Sequence, residues 1–486
     1  LDFSGVEFNT YAQHKLPHAR VIAPEAEREF GLSILRELKV EGERRMALCR
    51  ENDVTNIVEL KEKCPDMIVP RLLVIIDEFQ QLFEIDTDKI SQDANRYVTK
   101  IIREFRKFGI NLVLATQKLP SKSILPRDLI ANRVVFKADP IDFGELIIWP
   151  SQTPKPQLGT GVCVYNDESG SEYANNVTRG FFIKTSTDLN TLLDKVLAFA
   201  DNHQEQIDVN VNLRVFRSND LPDFKTKAME EKHYQLSDLP KEVGVYLGES
   251  IAISATDVYV PLVKESNNNI LIIGGRQDVA KKIAYYAVLS QSIAHNEKTA
   301  TFVMFNFMRN DDGLQTLFHS EQMDAVKQSS TWFEAKRTDE VATVLGNLKE
   351  LIDYRKNNAD ESDMNHVYLH ITAFQLGRMF DPTGNFGDHP SECTKSLVTI
   401  LKDGPSLGVF TVLQVDNLIN LNRLGRGVLN YFNHRIALQM NENDSNKVVG
   451  TSAANKLKVS GRPSSEYRAL YYNDQNNEIT KFKPYN

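Results

Sequence analysis

Residues 71–84 read Arg-Leu-Leu-Val-Ile-Ile-Asp-Glu-Phe-Gln-Gln-Leu-Phe-Glu. The apolar, β-prone run from Leu72 to Ile76 stops at two adjacent carboxylates, Asp77 and Glu78. A buried strand of a parallel sheet has this form. It carries acids to the carboxyl edge of the sheet, where they can hold a divalent cation and orient a water. The plain alternative is a core strand that ends in a solvated acidic turn, so the surrounding chain has to decide between them.

Just downstream, residues 91–108 predict an amphipathic helix with Tyr97, Ile101, Phe105 and Phe108 on one face and Arg96, Lys100, Arg103 and Lys107 on another. That basic stripe would suit a phosphate backbone or a neighbouring subunit; equally, it is a solubilising face paired with local acids. Next, Ile110–Leu114 repeats the strand pattern and leads into Ala115, Thr116 and Gln117. Ligands gather at the carboxyl ends of parallel strands, so Thr116 and Gln117 are expected beside Asp77 and Glu78. Upstream, residues 25–50 predict a helix through Phe30, Ile34 and Leu38. Downstream come a strand from Arg133, then Asp139, Asp142, a Gly159-Thr160-Gly161 turn and the strand 162–165. Strands alternating with helices define an α/β fold with a mainly parallel sheet.

The chain has 486 residues, 41% of them hydrophobic and 25% charged, enough for two or three globular domains. No apolar stretch approaches the ~20 residues of a membrane span. The four cysteines lack CxxC spacing, which fits a reducing compartment and no cysteine metal site. His14 and His18, like His366 and His370, lack a third ligand at zinc spacing. A net charge of −8 confines any nucleic-acid contact to a local patch.

In order along the chain, Gly-Val-Glu-Phe at 5–8, Leu-Pro-His at 16–18, Val-Ile-Ile-Asp-Glu-Phe at 74–79, Arg106 and Gly109 leading to Gln117, Arg133 and the Gly-x-Gly turn resemble the FtsK/SpoIIIE family of HerA–FtsK P-loop ATPases. The resemblance covers residues 1–185. It implies a cytoplasmic RecA-like motor in a homo-oligomeric ring that uses ATP and Mg²⁺, usually pumping double-stranded DNA and sometimes exporting protein. Position by position, it implies Walker B acids at Asp77 (on Mg²⁺) and Glu78 (orienting water), and a γ-phosphate-sensing glutamine at Gln117 next to Thr116. Arg106 and Arg133 become candidates for an arginine acting on a neighbour's site. Phe143 departs from the family, which commonly has Ser there. No Gly-x-x-x-x-Gly-Lys-Ser/Thr precedes Asp77.

From Gly244 the order of elements repeats. Strand 270–273 leads into Gly274-Gly275-Arg-Gln-Asp-Val-Ala-Lys281-Lys282, a P-loop pattern with Ala280 for the second glycine and Lys282 for the hydroxyl residue; Lys281 stands at the phosphate-binding lysine. Thr372 and Ala373 replace Asp77 and Glu78, since 372 − 77 = 295, while Phe374-Gln375 repeat Phe79-Gln80. That contrast assigns the Phe-Gln to the fold and the two acids to the chemistry. Arg435 and Asp444 keep the spacing of Arg133 and Asp142, and Tyr472-Asn473-Asp474 repeats Tyr165-Asn166-Asp167. The offset between Asn306 and Asp2 places the first copy's P-loop lysine roughly twenty residues before Leu1.

The expected architecture is two tandem RecA-like P-loop domains. The first (1–186) lacks its P-loop segment, a helix and linker follow (187–240), and the second (241–486) is degenerate. The expected function is ATP-driven DNA translocation, processing or defence. The alternatives are a coupling ATPase of a type VII-like secretion system, with a membrane tether upstream of Leu1, and, for these residues alone, a non-catalytic structural module.

Overall fold

The computed structural model describes residues 1–5, 7–84, 88–120, 127–203, 213–224, 242–295, 299–309, 312–358, 365–383, 389–457 and 467–486. The chain forms two compact units, Leu1–Asp220 with Ala252–Ser254, and Leu221–Ile251 with Ala255–Asn486.

The second unit is built on a ten-stranded sheet. In spatial order its strands are Thr331–Glu334, Ala300–Asn306, His366–Thr372, Val409–Val415, Ile270–Ile273, His434–Ala437, Ala469–Asn473, Glu478–Pro484, Glu242–Ser250 and Asp257–Val263. The first six run parallel and the last four are added antiparallel. His366–Thr372, Val409–Val415 and Ile270–Ile273 are buried at every residue, which is why they read as unbroken apolar runs and not as alternations. The helix Gln277–Ile293 packs on this sheet, and His370 Nε2 meets its Gln291 Oε1 at 2.6 Å.

In the first unit, Leu72–Ile76 and Ile110–Leu114 pair in parallel, and Asp2 bridges to Asp77. Arg133–Val135, Val162–Asn166 and Asn176–Arg179 form a separate antiparallel sheet. Among the described residues of this unit the strands therefore fall into separate parallel and antiparallel sheets. In the second unit Ile270–Ile273 joins Val409–Val415 to His434–Ala437; among the described residues of the first unit, no strand joins their counterparts Ile110–Leu114 and Arg133–Val135. One face of the parallel pair is correspondingly open, with Leu73, Ile75 and Val113 63%, 43% and 45% exposed. Their counterparts Tyr368, His370 and Val412 are buried, on the face that Gln291 touches.

Strand register makes the repeat concrete. Leu72 pairs with Ile110 and Ile76 with Leu114; Val367 pairs with Val409 and Ile371 with Leu413, the same pairings displaced by 295 and 299 residues. The identical Tyr-Asn-Asp letters do not obey this register. Arg133 pairs with Asn166, whereas Arg435 pairs with Tyr472, one residue short of the letter match. Tyr165 thus corresponds to Tyr471, and each hydroxyl meets the matching residue across the ladder, Asn132 at 3.4 Å and His434 at 2.9 Å.

The helix expected at 91–108 is Lys89–Lys100 followed by a wide π-turn, Ile101–Phe105, and a short turn ending at Gly109 in the left-handed region (φ 78°). The expected helix-and-linker segment can be followed in the structure over its described residues. Helix Ser186–Asp201 and strand Arg214–Val215 belong to the first unit. Arg214–Val215 pairs with Val21–Ile22, Phe216 stacks on Phe30 at 4.0 Å, and Ser218 Oγ donates to Glu27. The division at Asp220 falls inside the segment 187–240 where the boundary was expected. Among the described residues, no helix is long and apolar enough to cross a membrane.

Candidate functional site

The strand Leu72–Ile76 ends where its backbone turns sharply. Glu78 takes a left-handed conformation (φ 51°) and lets Phe79 N–H donate to the Ala115 carbonyl at 3.1 Å. Such a conformation is strained for a residue with a Cβ and is held by its surroundings. Asp77 is bracketed by acids. Burial first, then the charges of Glu78, Asp2 and Glu7, push its pKa above the ordinary carboxylate value. Asp2 is committed locally. It accepts from Ser4 N–H and Oγ–H, Gly5 N–H, Glu7 N–H and Phe8 N–H, and these bonds outweigh burial to hold its pKa down. The Asp-x-Ser-Gly pattern at 2–5 was the sequence sign of this Asx-type cradle.

The Gln80 side-chain amide donates to Glu78, and Thr116 Oγ1 lies 2.6 Å from Gln80 Oε1. Thr116 Oγ1 is also 2.6 Å from the Lys118 carbonyl, and its single proton serves one of the two at a time. Gln117 is exposed at the same end of the sheet. Mg²⁺ commonly takes one or two carboxylates and completes its shell with phosphate oxygens and water. Asp77, at the carboxyl end of its strand, fits as a single protein ligand of that kind. Among the described residues no group of three His, Cys, Asp or Glu is arranged to hold a metal by itself.

The two arginines lie elsewhere. Arg106 is exposed in the turn before Ile110, about 17 Å of strand from the Asp77 end. Arg133 is buried and donates to the carbonyls of Ile130, Leu146 and Arg127. Arg435 repeats all three bonds, to Phe432, Val448 and Leu429, and adds Asp474. With three of its donors engaged on carbonyls of its own unit, Arg133 fastens a strand to the loop and helix beside it, a structural duty that the expectation of a trans-acting arginine did not include.

The basic stripe is also largely engaged. Arg96 pairs with Asp93 at 2.9 Å, Lys100 with Glu43 at 2.7 Å, and the Lys107 ammonium lies 5.1 Å from the centre of the Phe108 ring. The bond to Lys100 lowers the Glu43 pKa. Arg103 is exposed on the π-turn, which inserts a residue and breaks the even spacing of the stripe.

In the second unit, neutral groups stand where the acids were. Thr372 Oγ1 donates to Asn306 Oδ1 at 3.1 Å, in the places of Asp77 and Asp2, and Ala373 (φ 53°) takes the turn of Glu78. The loop after Ile270–Ile273 is closed by its own side chains. Gln277 Nε2 donates to the Gly274 carbonyl, and Gln277 Oε1 accepts from Gln414 at 2.8 Å and Gln375 at 3.2 Å. Lys281 is ion-paired with Asp312, and Arg276 with Asp278. Sequence reasoning missed Gln277 and Asp312, whose side-chain partners Gln375, Gln414 and Lys281 lie far away in sequence. His370 and His366 are buried, on Gln291 and on the Tyr368–His295 network respectively.

No family model matches the sequence, and no curated protein matches it. Solved structures do match. ATPases 2 and 3 of Thermomonospora curvata EccC, in complex with a signal sequence peptide, superpose with a TM-score of 0.57 at 12% identity, over 100% of this chain and 81% of that one. The fold is that of tandem P-loop ATPase domains. The cytoplasmic domain of the type VII secretion ATPase EccC from the same organism gives 0.55 at 12% identity, over 100% of this chain and 52% of that one. EssC ATPases 2 and 3 from Geobacillus thermodenitrificans give 0.51 at 13%, over 100% and 84%.

Proposed function

We propose that this chain is the working part of an ATP-driven motor of the type VII secretion kind, with a catalytic first unit and a second unit that acts as a nucleotide-independent scaffold. The observation that carries the division is the pair of strand ends, Asp77-Glu78 in one unit and Thr372-Ala373 in the other, on the same register and the same left-handed turn. In the first unit Asp77 would hold Mg²⁺, which when bound neutralises phosphate charge. Glu78 would orient and deprotonate the attacking water, and Gln117 would sense the γ-phosphate. Arg106, exposed and remote from its own Asp77, is the arginine left to act on a neighbour in a homo-oligomeric ring. The opening between Ile110–Leu114 and Arg133–Val135 and the bare face at Leu73, Ile75 and Val113 would receive the strand and helix that bear the P-loop, as Ile270–Ile273 and Gln277–Ile293 do in the second unit.

Protein cargo is favoured over duplex DNA because the basic stripe that motivated DNA is engaged internally at Arg96, Lys100 and Lys107, and because the chain aligns end to end with EccC ATPases 2 and 3. Steady-state ATP hydrolysis by the intact protein tests the assignment. Glu78→Gln should lower kcat at least 100-fold, and an undiminished rate would refute it. Tight duplex-DNA binding lost in Arg96→Ala/Lys100→Ala/Arg103→Ala would return the cargo to DNA.

A further inference from the structure

Gln80 stands between two groups of the site. Its amide N–H₂ donates to a Glu78 carboxylate oxygen, and its carbonyl faces the Thr116 hydroxyl at 2.6 Å. The second unit keeps this residue as Gln375 but has neither partner: Ala373 stands for Glu78 and Val415 for Thr116. Gln375 turns instead to Gln277 in the closed loop, and its own Oε1 is buried without a partner. A glutamine kept only to hold the turn would not require its carboxylate and its hydroxyl to vanish together. The hydroxyl and the carboxylate that the amide joins are therefore present together in the first unit and absent together from the second, where the retained amide has turned elsewhere.

We infer that Gln80 is a positioning residue for Glu78, with Thr116 setting the orientation of its amide; this rests on the assignment of Glu78 as the group that handles the attacking water. An amide holds its oxygen and nitrogen at opposite corners. A hydroxyl donating to Gln80 Oε1 fixes Nε2 toward Glu78. Nε2 then occupies one carboxylate oxygen and leaves the other as the single acceptor for water. Without the amide, the carboxylate of Glu78, buried as the residue is, can still turn about its last bond, and the fraction correctly aimed falls. The Phe-Gln that follows the acids thus has two parts. Phe79, buried, serves the fold, and Gln80 serves the chemistry.

The test uses the intact protein with Gln80→Ala, Gln80→Glu and Thr116→Val, the last reproducing the residue of the second unit. Gln80→Ala should lower kcat about tenfold with KM for ATP unchanged within twofold, in line with the effect of losing an orienting partner. Gln80→Glu, the same shape without the donor, should lose at least as much, and Thr116→Val about threefold. A readout without nucleotide accompanies these: the side-chain amide resonances of Gln80 in ¹⁵N-glutamine-labelled protein, assigned by their loss in Gln80→Ala, should shift in Glu78→Ala and in Thr116→Val. If Glu78→Gln abolishes hydrolysis while Gln80→Ala leaves kcat unchanged or raises it, positioning by Gln80 is refuted and Glu78 keeps its role. If Glu78→Gln leaves hydrolysis intact, both assignments fall. Amide resonances indifferent to Glu78→Ala would refute the contact itself.

Discussion

Glu78 and Ala373 occupy the same left-handed turn, at φ 51° and 53°, in two copies of one strand end that share a pairing register. The backbone of this turn does not depend on the carboxylate, since an alanine adopts it. What differs is everything the carboxylate touches.

The acids should therefore be separable from stability. Asp77→Asn removes a carboxylate that burial and three neighbouring acids disfavour in its charged form. It should leave the melting temperature of the chain unchanged or slightly raised while abolishing Mg²⁺-dependent ATP hydrolysis by the intact protein. Differential scanning calorimetry beside a phosphate-release assay checks both.

Arg133 and Arg106 should part in the opposite sense. Arg133→Ala strands three buried carbonyls and removes a buried guanidinium, a loss of about 3 kcal/mol on the scale of hydrogen bonds to charged groups. Arg435→Ala should behave alike. Arg106→Ala should leave thermal stability unchanged, and, with the ring proposed above, Arg106→Ala subunits mixed with wild-type ones should lower hydrolysis in proportion to their number.

Acid should weaken the second unit. Burial lowers the pKa of His366 and His370 to about 3 and of His434 to about 4, below the ordinary 6.5. The folded imidazoles therefore stay neutral while the unfolded ones take up protons. Stability is fully present above pH 6.5 and declines as pH falls from there toward 4, by up to ~1.4 kcal/mol per pH unit for each histidine. Urea midpoints between pH 7.5 and 4.5 measure the slope; His370→Gln should flatten it.

The second unit should be indifferent to nucleotide. With Lys281 paired to Asp312 and Gln277 bridging Gly274, Gln375 and Gln414, Lys281→Ala should leave equilibrium binding of a fluorescent ATP analogue to these 486 residues unchanged. Binding weakened more than tenfold would show a live phosphate loop.

Much of this architecture was legible from the apolar runs and their punctuation. The offsets of 295 and 299 recur as strand registers, because a buried strand cannot slip one residue without turning its core face outward. The same rule exposes what letters hide. Tyr165-Asn166-Asp167 and Tyr472-Asn473-Asp474 are identical yet one residue out of register. The duties of Gln80, Gln277 and Arg133 were not legible, since each is defined by atoms that only the fold brings near. The π-turn at Ile101–Phe105 was equally silent, for a helical periodicity does not announce an inserted residue.

The first unit's open edge has a consequence of another kind. Ile110–Leu114 pairs on one side only among the described residues, and the flank beside it is apolar. An unprotected strand of this type is a template for pairing with another chain. In the proposed reading, the strand that fills that opening would shield the protein from such pairing at the moment it completes the site, so misassembly and inactivity would be two symptoms of one missing contact.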